Sequence, residues 1–390
     1  MRAYVLLYVT LYGAFGVASP YWPKLFESKG LTPQQIGLIL AAALLVRLAA
    51  GPLLGRLADR LASLRLVLAS SIIVAAAAAA AFLWADTFWL VLLIALAQAI
   101  ALAPTTSLAD ALTVSATKPR PFEYGRIRGA ASAAFLVGTL VIGQLIVPAD
   151  LTPIIWMNAA LLMVAAAATA LLPGGTPEPE QRGVATSEVR GLLRLSAFRI
   201  VIVVSALVYG SHALYDAFAV IRWSAAGLPP PVISILWAEA VAAEVVVFFV
   251  IGPWLLDRLG VRRAAVLAAL AGIVRWSAMG FTNSIVLLSV LQPLHGLTFA
   301  LLHLACMRVI GNVVPPAVAA TAQALYAFGA GLVTAALTSL SGTLYATYGG
   351  SAFLAMSALC VIALPIAWWG FIDPRPLASS PRSSAGALRG

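Results

Sequence analysis

GPLLGRLADRL (51–61) returns in altered form as GPWLLDRLGVRR (252–263). Each copy closes an apolar run and sets an acid–base pair a few residues past a Gly-Pro step. Asp59-Arg60 of the first copy, in the loop that begins near Gly55, matches Asp257-Arg258 of the second, 198 positions later. That offset is close to half of the 390-residue chain. A solvated loop explains such a motif once. Two copies at equivalent places imply a duplicated unit, which is how many secondary transporters are built. The carboxylate at the helix end suits docking against the positive N-terminus of a neighbouring helix.

Working outward, the chain is 62% hydrophobic and 10% charged. Soluble domains carry about a quarter charged residues, so no soluble core fits this composition. The class is a multi-pass membrane protein. Apolar runs bounded by turn residues predict twelve spans, near 4–22, 33–54, 64–84, 88–112, 127–147, 153–172, 198–223, 232–255, 264–281, 284–309, 317–347 and 351–372. The start, MRAYVLLYVTLYGAFG, reads as an uncleaved first helix. PGGTPEPEQRGVATSEVRGLLRLS (173–196) is rich in Pro, Gly and charge and reads as a linker. The expected division is a six-helix bundle at 1–172, a cytoplasmic central loop at 173–197, a second bundle at 198–372 and a disordered cytoplasmic tail at 373–390.

The net charge of +10 belongs to loops rather than to a nucleic-acid surface. With the N-terminus inside, Arg2, Arg56, Arg60, Arg65, Lys118, Arg120, Arg126, Arg128, Arg182, Arg190, Arg194, Arg199, Arg258, Arg262, Arg263, Arg308, Arg375, Arg382 and Arg389 all fall in cytoplasmic segments. Lys24, Lys29 and Arg222 fall outside. Both termini are therefore predicted cytoplasmic. Cys306 and Cys360 lie in separate spans and form no metal or disulfide pattern, so no metal and no cofactor is expected. The partners expected are a small-molecule substrate, protons and lipid, with a monomer as the working unit in the cytoplasmic (inner) membrane.

Several ionisable residues fall within spans, where they are costly and mark function. SIVLLSVLQPLHGLTFALLHLACMRV (284–309) holds His295 and His303, about 12 Å apart along a helix, too far to share one small ligand. Arg275 needs a partner, for which Glu239, Glu244 and Asp216 are available. Glu239 and Glu244 are five positions apart and about 140° apart around a helix, so the two are not expected to face the same cavity. His212 and Asp216 are one turn apart and form either a cavity pair or a helix–helix lock. Asp110 and Arg128 form either a cavity pair or a salt bridge at the membrane edge. Phe135, Tyr12, Trp237 and Trp276 are candidates for an aromatic pocket. Arg47 lies within the second span and is expected to face the bundle or to snorkel, with no role assigned.

These motifs resemble the major facilitator superfamily over the full twelve-helix length. GRLADRL looks like that family's loop between helices 2 and 3, and LDRLGVRR like its copy between helices 8 and 9. The resemblance implies an all-α fold of two pseudo-symmetric six-helix bundles working by alternating access around a central cavity. FEYGRIR (122–128), with Glu123 and Arg126, is similar to the entry to helix 5 in the lactose-permease branch. By that likeness Arg128 and Asp110 bind substrate and Phe135 stands where a tryptophan stacks on sugar. Arg275, His295 and Arg308 fit the branch's spacing on helices 9 and 10. Thr298 replaces the proton-carrying glutamate, so that role does not transfer. HALYDAF, ILWAEAVAAE and LHGLTFALLH look closer to the phenylpropionate-permease group of proton-coupled importers. The resemblance, together with the reading of the residues themselves, makes Asp110, Arg128, Phe135, His212, Asp216, Trp237 and His295 the expected substrate contacts. It implies proton coupling at Glu239, Glu244, Arg275, His295 and His303, and gating at Gly55, Asp59, Arg60, Asp257, Arg258, Glu123 and Arg126. The expected function is proton symport of an aromatic carboxylate. The rivals are a sugar, nucleoside or drug transporter of the same fold, an exporter among them, and a non-transporting membrane sensor. An intramembrane enzyme finds no HExxH, GxSxG or paired-aspartate motif to support it.

Overall fold

Glycine and proline set where the chain turns, and they do so twice. Gly30-Leu31-Thr32-Pro33 and Gly227-Leu228-Pro229-Pro230 end one helix and start the next. Both glycines have positive φ, 81° and 85°, a region that side chains avoid. The following leucine N–H reaches back five residues in each case, Leu31 to the Phe26 carbonyl and Leu228 to the Trp223 carbonyl. This is a Schellman closure, followed by proline at the start of the next helix. The computed structural model describes residues 1–117, 121–173 and 186–371.

The N-terminal set of helices is α1 (Arg2–Ala18), α2 (Trp22–Ser28), α3 (Pro33–Arg60), α4 (Leu64–Ala81), α5 (Phe88–Leu102), α6 (Thr105–Thr117), α7 (Pro121–Leu145) and α8 (Thr152–Ala170). A short helix, α9 (Thr186–Arg194), leads to the C-terminal set. That set is α10 (Ser196–Gly210), α11 (Ala213–Ala225), α12 (Pro230–Val246), α13 (Gly252–Phe281), α14 (Ile285–Leu291), α15 (Leu302–Val313), α16 (Ala319–Tyr348) and α17 (Phe353–Gly370). Among the described residues, nine helical stretches are long and apolar enough to cross a bilayer, or ten with α1 and α2 joined across their 44° bend. Two of the nine, Pro230–Phe281 and Pro316–Gly370, run to 52 and 55 residues.

The expected linker 173–197 is not wholly irregular. α9 lies within it, and Leu192 is buried in the C-terminal core. TSEVRGLLR presents leucine on one side and charge on the other, which is enough to dock a short helix. The remainder of that linker at 174–185, with Arg182, lies outside the described residues. So do Lys118 and Arg120, the tail from 372 with its three arginines, and the side chain of Glu123.

Among the described residues, the apolar interior is arranged in three clusters. One draws only on the N-terminal set, around Leu7, Leu68, Ile72 and Leu162. Another draws on α9 and the C-terminal set, around Phe198, Val204, Leu301 and Phe371. The third is shared, with Val17, Tyr21, Phe26 and Ile39 packed in one body with Phe218, Trp223, Leu236 and Trp276. The shared cluster sits where α1 and α7 finish and α3 and α12 begin. There Tyr21 bonds Ser234 across the sets at 2.6 Å. A Cβ on Gly37 would meet the Thr338 carbonyl at 2.9 Å, so α3 and α16 touch backbone to backbone. The helix sets are joined at that end and keep separate cores at the other.

The duplication seen in the loops is repeated in side-chain roles. Arg65 Nη1 donates to the Leu172 carbonyl at 2.8 Å, and Arg262 Nε donates to the Phe371 carbonyl at 2.9 Å. Each arginine satisfies a bare carbonyl at the finish of the last helix of its set, where the helix dipole is negative. Asp257, expected to face a helix N-terminus, is instead paired with Arg308 at 2.6 Å. Arg258 lies over the Trp254 ring. Asp59, Arg60 and Arg126 are exposed, and Gly55 has open space around it.

Candidate functional site

A cavity of about 460 Å³ lies between the two helix sets, beside the shared core. Helical spacing builds its walls. Tyr12, Phe15, Ser19, Trp22 and Phe26 follow one face of α1 and α2, and Leu40, Ala43, Leu44 and Arg47 follow one face of α3. Gln98 of α5 and Asn158 of α8 add two amides, and Phe135 of α7 adds a ring. The C-terminal set contributes Asp216, Ala217, Thr334 and Thr338. Phe135 and Asp216, two of the expected contacts, thus line the cavity. Arg47 is there too, exposed on that space. Its spacing of seven from Leu40 was the signal that could have found it, had the cavity-facing side of α3 been known.

Asp110 and Arg128 do come together, 3.5 Å apart. Tyr8 donates to Asp110 at 2.5 Å, and Arg128 donates to the Tyr12 hydroxyl while its guanidinium lies over that ring. Neither Asp110 nor Arg128 lines the cavity; Tyr12 stands between them and it. Trp237 is buried, stacked on Tyr215 at 5.0 Å, and also stands apart from the cavity lining.

A second polar chain runs through the C-terminal set. Arg275 is fully buried, yet among the described residues no carboxylate lies within ion-pair distance of it. The three carboxylates expected as partners do not reach it. Its Nη1 donates to His295 Nδ1 at 3.0 Å and its Nη2 to Gln292 Oε1 at 3.0 Å, the oxygen that Tyr215 also engages. The neighbouring rings of Tyr215 and Trp276 both lie against it, 4.5 Å from each centroid. A π-face attracts a cation, and two neutral acceptors spread the charge. Because Arg275 donates to Nδ1, that nitrogen is the acceptor and Nε2 holds the proton. Nε2 lies 3.3 Å from Glu244 Oε2. The carboxylate therefore reaches the guanidinium through the imidazole.

Local structure makes this contact. Val247–Ile251 and Gly296–Leu301 are π-helical turns, a widening often found at functional sites. A Cβ on Gly296 would meet the Ala243 carbonyl and Val247 Cγ2 at 2.7 Å each. Only glycine lets the segment after His295 lie against the turn that carries Glu244. Glu239 is elsewhere: Ser289 donates to its Oε1 at 3.1 Å, and its Oε2 has no hydrogen-bond partner among the described residues.

His212 and Asp216 are not a pair. The chain breaks between α10 and α11 at Ser211-His212, which turns His212 inward to Val208 and to Thr298 at 3.0 Å, while Asp216 faces the cavity. Thr298, at the position where the lactose branch has its proton carrier, holds a histidine. His303 bonds Tyr326 at 3.4 Å and packs by Phe248, apart from His295.

The chain is 32% identical to the probable 3-phenylpropionic acid transporter of Escherichia coli (strain K12), over 93% of this chain and 95% of that one. It is 26% identical to the maltose permease of Geobacillus stearothermophilus, over 92% and 91%. A mutant form of the nucleoside transporter NupG superposes with a TM-score of 0.86 at 18% identity, covering 95% of this chain and 99% of that one. A model described as the MFS_1 like family matches residues 1–355. Duplicated helix sets, a cavity between them and a match over most of the length together show that this multi-pass membrane protein belongs to the MFS_1-like family of major facilitator transporters.

Proposed function

We propose that the chain is a proton-coupled importer of an aromatic carboxylate of the 3-phenylpropionate kind. The observation that carries this reading is the cavity: its N-terminal wall is ringed by Phe15, Trp22, Phe26 and Phe135 and also presents an arginine. Aromatic walls with a few placed polar groups suit a small aromatic solute. The 32% identity to a probable 3-phenylpropionic acid transporter supports the same class. Gln98 and Asn158 on the same wall favour one rival, a hydroxylated solute such as a sugar or nucleoside. We read the 52- and 55-residue stretches as two crossings each and α1 with α2 as one, for twelve spans among the described residues. An even count puts both termini on one side, and the arginine-rich loops favour the cytoplasmic side of the inner membrane, with bundles at 1–172 and 198–372 and a monomer as the working unit.

For coupling we assign the proton to Glu244. In the ionised state Glu244, the His295 N–H and Arg275 form one chain of opposite charges. A proton on Glu244 removes its negative end and leaves Arg275 with neutral partners alone. The chain then has two states of different energy, which is what a coupling ion needs to bias a conformational equilibrium. Arg275 opposes a second proton on His295, because that proton would sit on the nitrogen it bonds. Glu244→Gln is expected to abolish accumulation of 3-phenylpropionate driven by a pH gradient in proteoliposomes while keeping exchange at equal concentrations. Glu239→Gln is expected to keep both. Accumulation by Glu244→Gln, or accumulation in wild type that survives an uncoupler, would sink the assignment. A panel of acids, sugars and nucleosides in the same vesicles decides the substrate class.

A further inference from the structure

We propose that Arg47 is the anion anchor of the cavity, the group that grips the carboxylate of the solute. The proposal rests on the aromatic-acid reading above and assigns its charge recognition to a residue outside the family likeness. Arg128, Arg275 and Arg308 were the arginines of the spans pointed to by that likeness, and all three are already engaged, Arg308 by Asp257. Arg275 is enclosed by two rings, His295 and Gln292. Arg128 holds Asp110 and the Tyr12 hydroxyl. Arg222, another arginine at a span, donates to the carbonyls of Met279, Gly280 and Thr282.

Arg47 is different. It lines the cavity, is exposed on it, and has no hydrogen bond or ion pair among the described residues. It is also the one cation among the described cavity-lining residues. A guanidinium that faces a water-filled space inside a membrane protein gains most from a planar anion, which its fork can bind through two parallel bonds. Seven and four residues earlier on the same face are Leu40 and Ala43, and the rings of Phe15 and Trp22 stand on the neighbouring helices. A solute with an acid at one end and a phenyl ring at the other matches that division. Asp216 faces the same space from α11, likewise without a side-chain partner among the described residues. When ionised it opposes an incoming carboxylate, so the two residues then act on the acid with opposite sign.

The test is equilibrium binding of 3-phenylpropionate and of its neutral isostere 3-phenylpropanamide to the purified full chain, read by calorimetry. Wild type is expected to prefer the acid. Arg47→Gln should weaken the acid about 10- to 100-fold, the range for losing a charge-assisted hydrogen bond, and leave the amide within about twofold. Arg47→Lys should recover part of the loss, and Asp216→Asn should tighten the acid alone. An acid-to-amide ratio in Arg47→Gln equal to that of wild type overturns the assignment and leaves the aromatic-acid reading standing. Wild type that binds both probes equally overturns the assignment too. Wild type that binds neither overturns both. Should Arg47→Gln not fold, the ratio is read from Arg47→Lys and Asp216→Asn; opposite shifts support the anchor, and no shift in either removes it.

Discussion

Arg275 carries a permanent charge to a position with no solvent exposure, held by a histidine, a glutamine and two aromatic faces. That set of partners is specific to a planar guanidinium. A lysine ammonium cannot bond His295 and Gln292 at fixed angles while stacking on Tyr215 and Trp276. Arg275→Lys is therefore expected to lower pH-driven uptake at least tenfold and the melting temperature of the purified protein by several degrees. Both are read against wild type in the same detergent. Unchanged uptake would separate Arg275 from coupling. Sequence alone told that Arg275 needed a partner and offered three carboxylates. It could not tell that none of them reaches it, because the partner is set by how helices from distant parts of the chain rotate against each other. The same limit applies to Arg47, whose place on α3 was plain and whose direction was not. Phe135 and Asp216, picked out with the help of the likeness, do line the cavity.

Between one helix and the next, the informative feature is the pair of π-helical turns at Val247–Ile251 and Gly296–Leu301. An extra residue in a helical turn rotates the rest of the helix and leaves backbone groups less well paired, so such turns persist where packing demands them. Gly296 supplies the demand by admitting the backbone of Ala243. Gly296→Ala adds one carbon against a carbonyl and a valine methyl. Overpacking of this kind costs about 1–3 kcal/mol and parts the seam. The expected outcome is a lower melting temperature together with loss of pH-driven accumulation. A variant that melts lower yet accumulates normally would show the seam to be structural only. Element ends were legible in part. The repeated Gly-Leu-x-Pro at 30 and 227 was available from the sequence, since Gly and Pro act locally. The π-helical turns were not, because they answer to a neighbouring helix.

At the scale of the whole molecule, duplication was the most legible property. Apolar length and repeated loops are local quantities, and they pointed to two sets of helices before any contact was known. What they left open is which end of the sets is joined. The shared cluster and the Gly37, Tyr21 and Ser234 contacts place the joint where α1 and α7 finish. Transport by alternating access would require that joint to part. Gly143 lies against Ser234 there, with no room for a side chain. Gly143→Leu is expected to force the joint open and make a cysteine placed at Ser19 reactive to an impermeant thiol reagent added from that side, in a chain where Cys306 and Cys360 are replaced by alanine. Labelling that stays as low as without the leucine would count against the joint as a gate. The contacts that make the joint are carbon, backbone and hydroxyl, and none of those named carries a charge. At the opposite end, closure would press Arg56, Arg60 and Arg126 of one set towards Arg258 and Arg263 of the other. Ions in the surrounding medium screen such repulsion within about 10 Å at 0.1 M and act less on the named contacts of the joint, which carry no charge. Ionic strength therefore becomes a lever with unequal arms, easing one end of the molecule more than the other.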